Sequence, residues 1–565
     1  MWITILLCFL ASTNSEIVNI KIQKGIRTAT IQGETCCDST VIGWWFRGIR
    51  FAQPPVGDLR FAYAKRLDPN GTVDARNYGP ECSQSALANE DCLFLNIYTP
   101  AGVTSKSQLP VMFHIHGGGL EQGSAQQNTA VFNNLINRGP LIIVSISYRL
   151  GPFGLFSSKE RTIPGNFAIS DMVEALKWTR RYITFFGGNP NRITISGESS
   201  GAESVSALSM SPVTRGYFNQ VIMESGSSFG GGVSMCDSSN SSLQLAVKVG
   251  CATVDTWNSG KHFEKILKCM RSVSAADLQN ADTHMPYEHF MNWQFVVDHL
   301  YLPETLDKLA LKRPKFNVLA GACSTEWLAW ETSDIINGTM NTPAFTRAGL
   351  IGKLQNTFEM RCWRDFPDVE KGAQNFYIDL APYPDTDHAG WMSVWINLMS
   401  DLDFTAGVRR DAQYHVHTGS DVYLYSFDYL SPYAWTFITD PRLRGVPHTL
   451  EMWYIYDSVC FGYPCQPDDN ILREYFQQTW TNFVVHGNPT PPEAKMPFTW
   501  PKLANDGTNK YLSFMPQPQA MSNYHPSTEY FTCVAPRYSG IKAPFCNNAK
   551  SKFYKLLKME KNSIL

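Results

Sequence analysis

The sequence predicts an α/β protein in which one large domain surrounds a central, mostly parallel β-sheet flanked by helices. Between residues 109 and 202, apolar runs of strand length alternate with helix-like stretches. Such alternation implies a buried, mostly parallel sheet. The chain also contains no internal repeat, no low-complexity tract and no long Pro-, Gly- or Ser-rich linker that would separate independent domains. A length of 565 residues therefore fits one domain with loop excursions.

The individual elements follow from local apolar patterns. Strands are predicted at residues 109–116, 140–148, 192–196, 315–321 and 421–427, and a helix is predicted at residues 169–185. The first strand ends in three glycines. In sheets of this kind, reactive groups lie on loops beyond the carboxyl ends of the strands, so we expect the functional site there.

The composition excludes several classes of partner. Lys+Arg 48 against Asp+Glu 50 leaves a net charge of -2, so no global field selects nucleic acid or an acidic membrane. No Cys-x-x-Cys and His spacing suggests zinc, and we expect no metal and no cofactor. The hydrophobic content of 44% and the aromatic content of 13% are sufficient for a large core and an apolar pocket.

The first fifteen residues are an apolar stretch that ends in small polar residues, which is typical of a cleaved secretory signal although it lacks the usual basic residue. A buried N-terminal strand or helix is the alternative. No later segment has the uncharged apolar length of a membrane span. We therefore expect a signal peptide at residues 1–15, the single domain at 16–550 and a C-terminal tail at 551–565.

The cysteines and sequons also indicate a secreted or secretory-pathway protein. Fourteen cysteines, of which Cys8 lies in the predicted signal, fit an oxidising compartment. The odd number that is left predicts at least one free or intermolecular thiol. Three Asn-x-Ser/Thr tripeptides are permissive for glycosylation, at Asn70, Asn240 and Asn337.

A candidate nucleophile follows the strand at 192–196. The segment Gly197-Glu198-Ser199-Ser200-Gly201 leads directly into a helix-forming stretch, and its glycines allow a sharp turn that exposes Ser199 at its tip. The segment at residues 226–230 has the same Gly-x-Ser-x-Gly spelling around Ser228, but two more glycines follow it and no helix does. The local context therefore favours Ser199.

Donors for an oxyanion are predicted close by. His116-Gly117-Gly118-Gly119 ends an earlier strand, and its backbone N–H groups have no side chains in the way. The N–H of Ser200 offers another donor directly after the nucleophile. Three glycines after a strand are more often a turn, so the interpretation depends on their pairing with Ser199.

An acid and a histidine should follow the serine in that chain order. Glu326 lies in the loop beyond the strand at 315–321, and Pro447 stiffens the backbone before His448. We regard the other acids near this strand as solvated charges, namely Glu304, Glu331 and Asp334. The rival histidines are less clearly placed beyond a strand: His388, His415, His417, His486 and His525.

At these residues the chain resembles the type-B carboxylesterases, a family that also includes cholinesterases and the inactive adhesion proteins called neuroligins. The resemblance extends over nearly all of the mature chain and rests on the elbow together with residues 48–57, 90–96, 147–151, 186–190, 480–483 and 487–489. It implies an α/β-hydrolase fold with a catalytic triad of Ser199, Glu326 and His448. It also implies an oxyanion hole at Gly118, Gly119 and Ser200, electrostatic support from Glu198 and Glu451, and disulfides Cys82–Cys92 and Cys251–Cys269.

The chain departs from the family pattern near the pocket. Trp327 follows the predicted acid where the family usually has glycine, and Ser200 replaces the usual alanine after the nucleophile. Trp293, Trp327 and Trp330 match segments that line the pocket in relatives, with ordinary core packing as the alternative. The pairing of the remaining nine cysteines stays open: Cys36, Cys37, Cys236, Cys323, Cys362, Cys460, Cys465, Cys533 and Cys546.

These observations predict a secreted serine carboxylic ester hydrolase that acts on small neutral esters with short-chain or aromatic groups. A cholinesterase is an alternative, although the loop at residues 83–91 lacks the aromatic residue on which choline stacks in such relatives. The other alternative is a non-catalytic adhesion or binding protein on the same scaffold. The oligomeric state is left open.

Overall fold

Parallel strands form the centre of the molecule, in a 13-stranded sheet. The structure is a computed structural model, and it describes residues 15–38, 41–85, 87–126, 129–231, 238–285, 292–337, 343–360, 366–456, 465–538 and 540–546. The predicted signal peptide, apart from Ser15, and the predicted tail at 551–565 lie outside these residues. In the described part of the chain, no helix has the length and apolar character needed to cross a membrane.

The strands run in chain order from the N-terminal hairpin to the C-terminal edge. They are β1 (Ile17–Lys24), β2 (Arg27–Asp38), β3 (Val41–Arg50), β4 (Gly71–Asp74), β5 (Phe94–Pro100), β6 (Leu109–Ile115), β7 (Ile142–Ile146), β8 (Gly188–Glu198), β9 (Gln220–Glu224), β10 (Asn317–Cys323), β11 (Asp421–Phe427), β12 (Tyr511–Phe514) and β13 (Gln519–Met521). Their order across the sheet is β1-β2-β3-β5-β7-β6-β8-β9-β10-β11-β12-β13, with β4 paired to β2.

The central pairs from β7 to β12 are parallel. The outer pairs are antiparallel, apart from β2 with β4, which is parallel. The prediction of a mostly parallel α/β fold is therefore confirmed. The strand predicted at 421–427 coincides with β11, whereas β8 extends beyond the prediction at both ends. The residues of β7 are all buried, as expected for a strand that is covered on both faces.

Helices cover both faces of the sheet. They are α1 (Thr129–Arg138), α2 (Gly151–Leu155), α3 (Phe167–Tyr182), α4 (Ser200–Met210), α5 (Ser239–Lys248), α6 (Val254–Asn258), α7 (Phe263–Ser272), α8 (Ala275–Thr283), α9 (Leu306–Ala310), α10 (Leu328–Asn337), α11 (Arg347–Met360), α12 (Pro367–Ala373), α13 (His388–Ser400), α14 (Ala406–His417), α15 (Leu450–Tyr456), α16 (Pro467–His486) and α17 (Ala535–Tyr538). A π-helical turn, Asp401–Thr405, joins α13 to α14.

Two hydrophobic clusters reflect the alternation of side chains along the strands. In β6, Val111, Phe113 and Ile115 pack into one cluster, whereas Met112 packs into the other with Trp480 of α16. Successive residues of a strand point to opposite faces, so both faces of β6 are buried. Each large apolar side chain buried in this way contributes roughly 1.5–3 kcal/mol of stabilisation.

The carboxyl ends of the central strands lie at one edge of the sheet. Ile115 pairs with Gly197, Glu198 with Glu224, and Cys323 with Phe427. The loops that follow β6, β8, β10 and β11 consequently start beside one another. These loops carry the triple glycine, Ser199, Glu326 and the long connection to His448.

Disulfide bonds close several short loops. Cys82 is bonded to Cys92 and Cys251 to Cys269, which are the two pairs that the resemblance implied. A third bond joins Cys533 to Cys546, which the sequence had left open. In the described part of the chain, Cys323 is a buried free thiol.

Candidate active site

Ser199 occupies the turn between β8 and α4 in a strained backbone conformation, with φ 57° and ψ -128°. Its N–H donates to the carbonyl oxygen of Glu224 at 2.9 Å, which fixes the turn against β9. A Cβ on Gly197 would lie 2.9 Å from the backbone nitrogen of Ala202, and one on Gly201 would lie 2.9 Å from the carbonyl oxygen of His116. The glycines that flank the serine are thus required by close backbone approach.

The structure brings Ser199, His448 and Glu326 into one hydrogen-bonded chain. The Nε2 atom of His448 lies 2.9 Å from Ser199 Oγ, and its Nδ1 atom lies 2.6 Å from Glu326 Oε2. The backbone N–H of His448 also donates to the carbonyl oxygen of Glu326 at 3.1 Å. The second oxygen of Glu326 accepts the N–H of Cys323 at 2.7 Å, so the carboxylate is held from both sides.

The rival acids have other partners or positions. Glu331 accepts the indole N–H groups of Trp327 and Trp395, each at 2.9 Å, and so serves the packing of α10 against α13. Glu304 pairs with Lys312 at the surface. Asp334 lies on α10 and does not line the cavity at Ser199.

The rival histidines also lie outside that cavity. His415 is buried beside Asp411, His525 contacts Ser426, and His388 contacts the carbonyl oxygen of Phe345. His486 lies 3.3 Å from Glu493, and His417 is exposed on α14.

The second Gly-x-Ser-x-Gly segment forms no comparable turn. Ser228 is buried, and its hydroxyl donates to the carbonyl oxygen of Glu203 at 2.7 Å. Ser228 therefore has a structural role, in which it packs behind α4. The structure therefore places the two matching segments in different environments, and of Ser199 and Ser228 it is Ser199 whose hydroxyl contacts a histidine.

The glycine loop lies beside Ser199. Gly118 and Gly119 line the same cavity as Ser199 and have positive φ values of 110° and 66°. Ser200 begins α4, and its hydroxyl accepts the N–H of Leu120 at 3.1 Å. This hydrogen bond ties the glycine loop to the elbow, a contact that the usual alanine could not make.

Two further carboxylates surround the histidine. Glu198 Oε1 lies 3.3 Å from His448 Nε2, and Glu198 is 5% exposed. Glu451 lies behind Glu326, where it accepts the thiol hydrogen of Cys323 at 2.7 Å and a hydrogen bond from Ser225 Oγ. The sequence did not predict this role of Cys323, because a cysteine at the end of a predicted strand can equally be a thiol donor or an apolar core residue.

The pKa values of this cluster are strongly shifted. Burial raises the pKa of Glu198 to about 8. Attraction to His448 lowers this pKa, whereas repulsion by the neighbouring carboxylates Glu451 and Glu326 raises it. Burial opposes the charged form of His448, but Glu198 and Glu326 outweigh it and raise the pKa of His448 to about 9. The two shifts depend on each other, because a proton on Glu198 removes an attraction that stabilises the imidazolium.

The site opens into a cavity of about 570 Å³. Trp330 lines it and is 39% exposed, and its ring stacks on Phe404 with centroids 5.5 Å apart. The other two tryptophans that were expected at the pocket do not line it. Trp327 is buried under Trp330, and Trp293 is buried with its indole donating to Asp282 at 2.7 Å, so both pack in the core.

Several cavity residues were not identified from the sequence: Glu121, Glu203, Asp282, Asp403 and Phe404. A signal was available for Glu203, which follows Ser199 by one helical turn and therefore shares its side of α4. Asp403 and Phe404 come from the π-helical turn, a feature that occurs often at functional sites.

Comparison with known proteins places the chain in one family. Residues 20–531 match the carboxylesterase family. The chain is 30% identical to carboxylesterase 1D of Rattus norvegicus over 482 residues, covering 79% of this chain and 81% of the relative. It is 30% identical to acetylcholinesterase-1 of Trittame loki (78% and 81%) and 29% identical to the juvenile hormone esterase of Tribolium castaneum (79% and 80%). The chain therefore belongs to the carboxylesterase family and is a carboxylic ester hydrolase with the α/β-hydrolase fold.

Proposed function

We propose that the chain hydrolyses small carboxylic esters through a covalent acyl-enzyme formed on Ser199. The observation that carries the proposal is the continuous hydrogen-bonded chain from Ser199 Oγ through His448 to Glu326 at the floor of an open cavity. This arrangement is the one that nucleophilic catalysis requires: a hydroxyl, a base in contact with it and an acid that orients the base.

In the first half of the reaction, His448 Nε2 takes the proton of Ser199 as the oxygen attacks the ester carbonyl carbon. The negative charge moves to the carbonyl oxygen, and the N–H groups of Gly118, Gly119 and Ser200 are proposed to stabilise it. The imidazolium then gives its proton to the departing alcohol. Glu326 fixes the tautomer and stabilises the positive imidazole ring.

In the second half, water replaces the alcohol. His448 removes a proton from the water as it attacks the acyl carbon, and the same N–H groups stabilise the second tetrahedral intermediate. Collapse of that intermediate breaks the bond to Ser199 Oγ and releases the carboxylic acid, with the proton returned to the serine. Glu198 and Glu451 are proposed to support the charge on the histidine without contacting substrate.

We propose short-chain or aromatic esters as the substrate class. The rings of Trp330 and Phe404 lie against His448, with centroids 5.3 Å and 4.6 Å from the imidazole, and offer an apolar surface for an aryl group. A choline ester is disfavoured, because the loop between Cys82 and Cys92 contains no aromatic side chain.

We also propose that the protein acts in the secretory pathway or outside the cell. The disulfides Cys82–Cys92, Cys251–Cys269 and Cys533–Cys546 support this location, since such bonds persist in oxidising compartments. The asparagines of the three sequons, Asn70, Asn240 and Asn337, are exposed, so a glycan at each would have room.

The deciding experiment is the reaction of the purified full chain with 4-nitrophenyl acetate. We expect a burst of nitrophenolate equal to the enzyme concentration, followed by steady turnover, together with a mass increase of one acetyl group on the peptide that contains Ser199. Absence of both turnover and the acetylated peptide would favour the alternative, a binding protein on the same scaffold.

A further inference from the structure

The cavity at Ser199 is lined by acidic and neutral groups. Its carboxyl-bearing residues are Glu121, Glu198, Glu203, Asp282 and Asp403, and no lysine or arginine in the described part of the chain lines it. His448 is its basic side chain. When they are ionised, these carboxyl groups attract cations and repel anions.

Its buried unpaired polar atoms are all acceptors. Among the described residues that line the cavity, the buried side-chain atoms without a hydrogen bond or ion pair are Glu203 Oε2 and Gln279 Oε1, whereas Glu198 Oε1 faces His448 Nε2. Buried polar groups in folded proteins are nearly always paired, so acceptors left open in a cavity indicate a ligand that brings donors.

Glu203 is the carboxylate best placed to hold such a donor near the reacting atoms. It lies in the first turn of α4, where its N–H donates to the carbonyl oxygen of Ser199 at 3.0 Å, and it is only 6% exposed. Burial, together with the neighbouring charge of Asp403, raises the pKa of Glu203 to about 8. A cation bound beside Glu203 and Asp403 would oppose the rise in the pKa of Glu203 and favour the ionised form of both carboxyl groups.

We propose that the cavity selects esters that carry a protonated primary or secondary amine, whose N–H groups donate to Glu203 and Asp403 beside Ser199. This inference rests on the proposed function and specifies its substrate class. It departs from the neutral-ester preference that the sequence predicted, because the carboxylates that form the cavity come from segments far apart in the chain.

The unpaired carboxylate oxygen distinguishes an N–H cation from a quaternary ammonium. A quaternary ammonium has no hydrogen to donate, and proteins bind it on the faces of aromatic rings. The rings of Trp330 and Phe404 at the cavity can contact either kind of cation. The open acceptors at Glu203 and Gln279 therefore fit a donor-bearing cation better.

The test uses three aryl acetates with the same scissile bond. They are 4-(aminomethyl)phenyl acetate, which is protonated at neutral pH, its uncharged isostere 4-ethylphenyl acetate, and the trimethylammonium analogue of the first. We expect kcat/KM for the protonated ester to exceed that of both others by about ten-fold or more, the discrimination typical of a charge-assisted hydrogen bond at a desolvated site.

Two variants locate the effect. Glu203→Gln should bring the ratio of protonated to uncharged ester close to one, whereas Glu493→Gln removes the same charge from an exposed position outside the cavity and should leave the ratio unchanged. If Glu203→Gln does not fold, the same ratio of protonated to uncharged ester is measured for Asp403→Asn and compared with that of the wild type. A wild-type ratio of one or less, or equal rates for the protonated and trimethylammonium esters, overturns the proposal.

Calorimetry separates failure of this inference from failure of the proposed function. If none of the three esters is hydrolysed, the proposed function is wrong. Titration of benzylammonium chloride into the full chain then decides the inference alone. Binding that weakens about ten-fold or more in Glu203→Gln supports a cation subsite, and binding that is absent or unaffected by the substitution overturns it.

Discussion

Glu198 and Ser199 face the same nitrogen of His448: Glu198 Oε1 lies 3.3 Å from Nε2, and Ser199 Oγ lies 2.9 Å from it. The carboxylate therefore stabilises the proton on the atom that must be free of a proton before it can act as a base. Because Glu198 and Ser199 are consecutive residues, the turn that exposes one also positions the other.

This contact predicts the pH dependence of hydrolysis. The neighbouring carboxylates raise the pKa of His448 above its ordinary value, so the imidazole loses its proton at a higher pH than a free histidine does. We expect kcat/KM to rise with pH through an apparent pKa above about 7 and then to level. The sequence alone predicted a midpoint of roughly 6–7.

Glu198→Gln tests the cause of that shift. Loss of the anion should lower the apparent pKa by about one unit, since the imidazolium loses its nearest attraction beyond Glu326. Glu493→Gln, at the surface, should leave the midpoint where it is. A midpoint that Glu198→Gln does not move would show that another group controls the profile.

Ser199→Ala should lower the turnover of 4-nitrophenyl acetate by on the order of a million-fold with little change in folding, because the members of a triad act as one unit. Ser228→Ala is the matched control at the second Gly-x-Ser-x-Gly segment. It removes the hydrogen bond to the carbonyl oxygen of Glu203, which contributes about 1 kcal/mol to stability, and should leave kcat nearly unchanged. Steady-state kinetics and thermal unfolding of both variants decide the assignment, and reversed results would make Ser228 the nucleophile.

His448→Ala should abolish the rising limb of the pH profile together with almost all activity, because no second base contacts Ser199 among the described residues. The profile of any residual activity can be measured with a high enzyme concentration. A variant that retained most of its activity and the same limb would return His415, His417 or His525 to consideration as the base.

Gly118→Ala should disrupt the oxyanion donors. Gly118 has φ 110°, and a Cβ there would lie 2.8 Å from the carbonyl carbon of Gln122, so the loop would have to shift. Misplacing one donor typically lowers kcat by about 10²–10³-fold. Gly216→Ala provides the control, since Gly216 also has a positive φ, of 77°, but a Cβ there meets nothing within 4 Å. We expect that control to lose about 1 kcal/mol of stability and no activity.

Cys323 is predicted to stabilise the carboxylates behind the triad. Its thiol donates to Glu451, which Cys323→Ser would preserve and Cys323→Ala would not. A buried carboxylate that loses a donor is destabilised by about 1–3 kcal/mol, so the alanine variant should unfold at a lower temperature than the serine variant. Equal melting temperatures for the two variants would show that the thiol acts only as an apolar side chain.

The sequence by itself determined the features that depend on local backbone geometry. A strand that turns at once into a helix needs glycines at Gly197 and Gly201, so the position of the elbow could be predicted from neighbouring residues. The same reasoning separated Ser199 from Ser228. Apolar runs located β6, β7, β8, β10 and β11 within a few residues, whereas the central strands β9 and β12 were not predicted.

Tertiary structure decided what depends on side chains that converge from distant segments. Glu326 and Glu331 both follow β10, but two indole N–H groups, one of them from α13, hold Glu331 away from the histidine. The pairing of Cys533 with Cys546, the burial of Trp293 and the thiol contact to Glu451 likewise depend on which loops pack together. The acidic cavity belongs to this second group, because Glu203 on α4 and Asp403 in the π-helical turn become neighbours only when the helices pack over the carboxyl edge of the sheet.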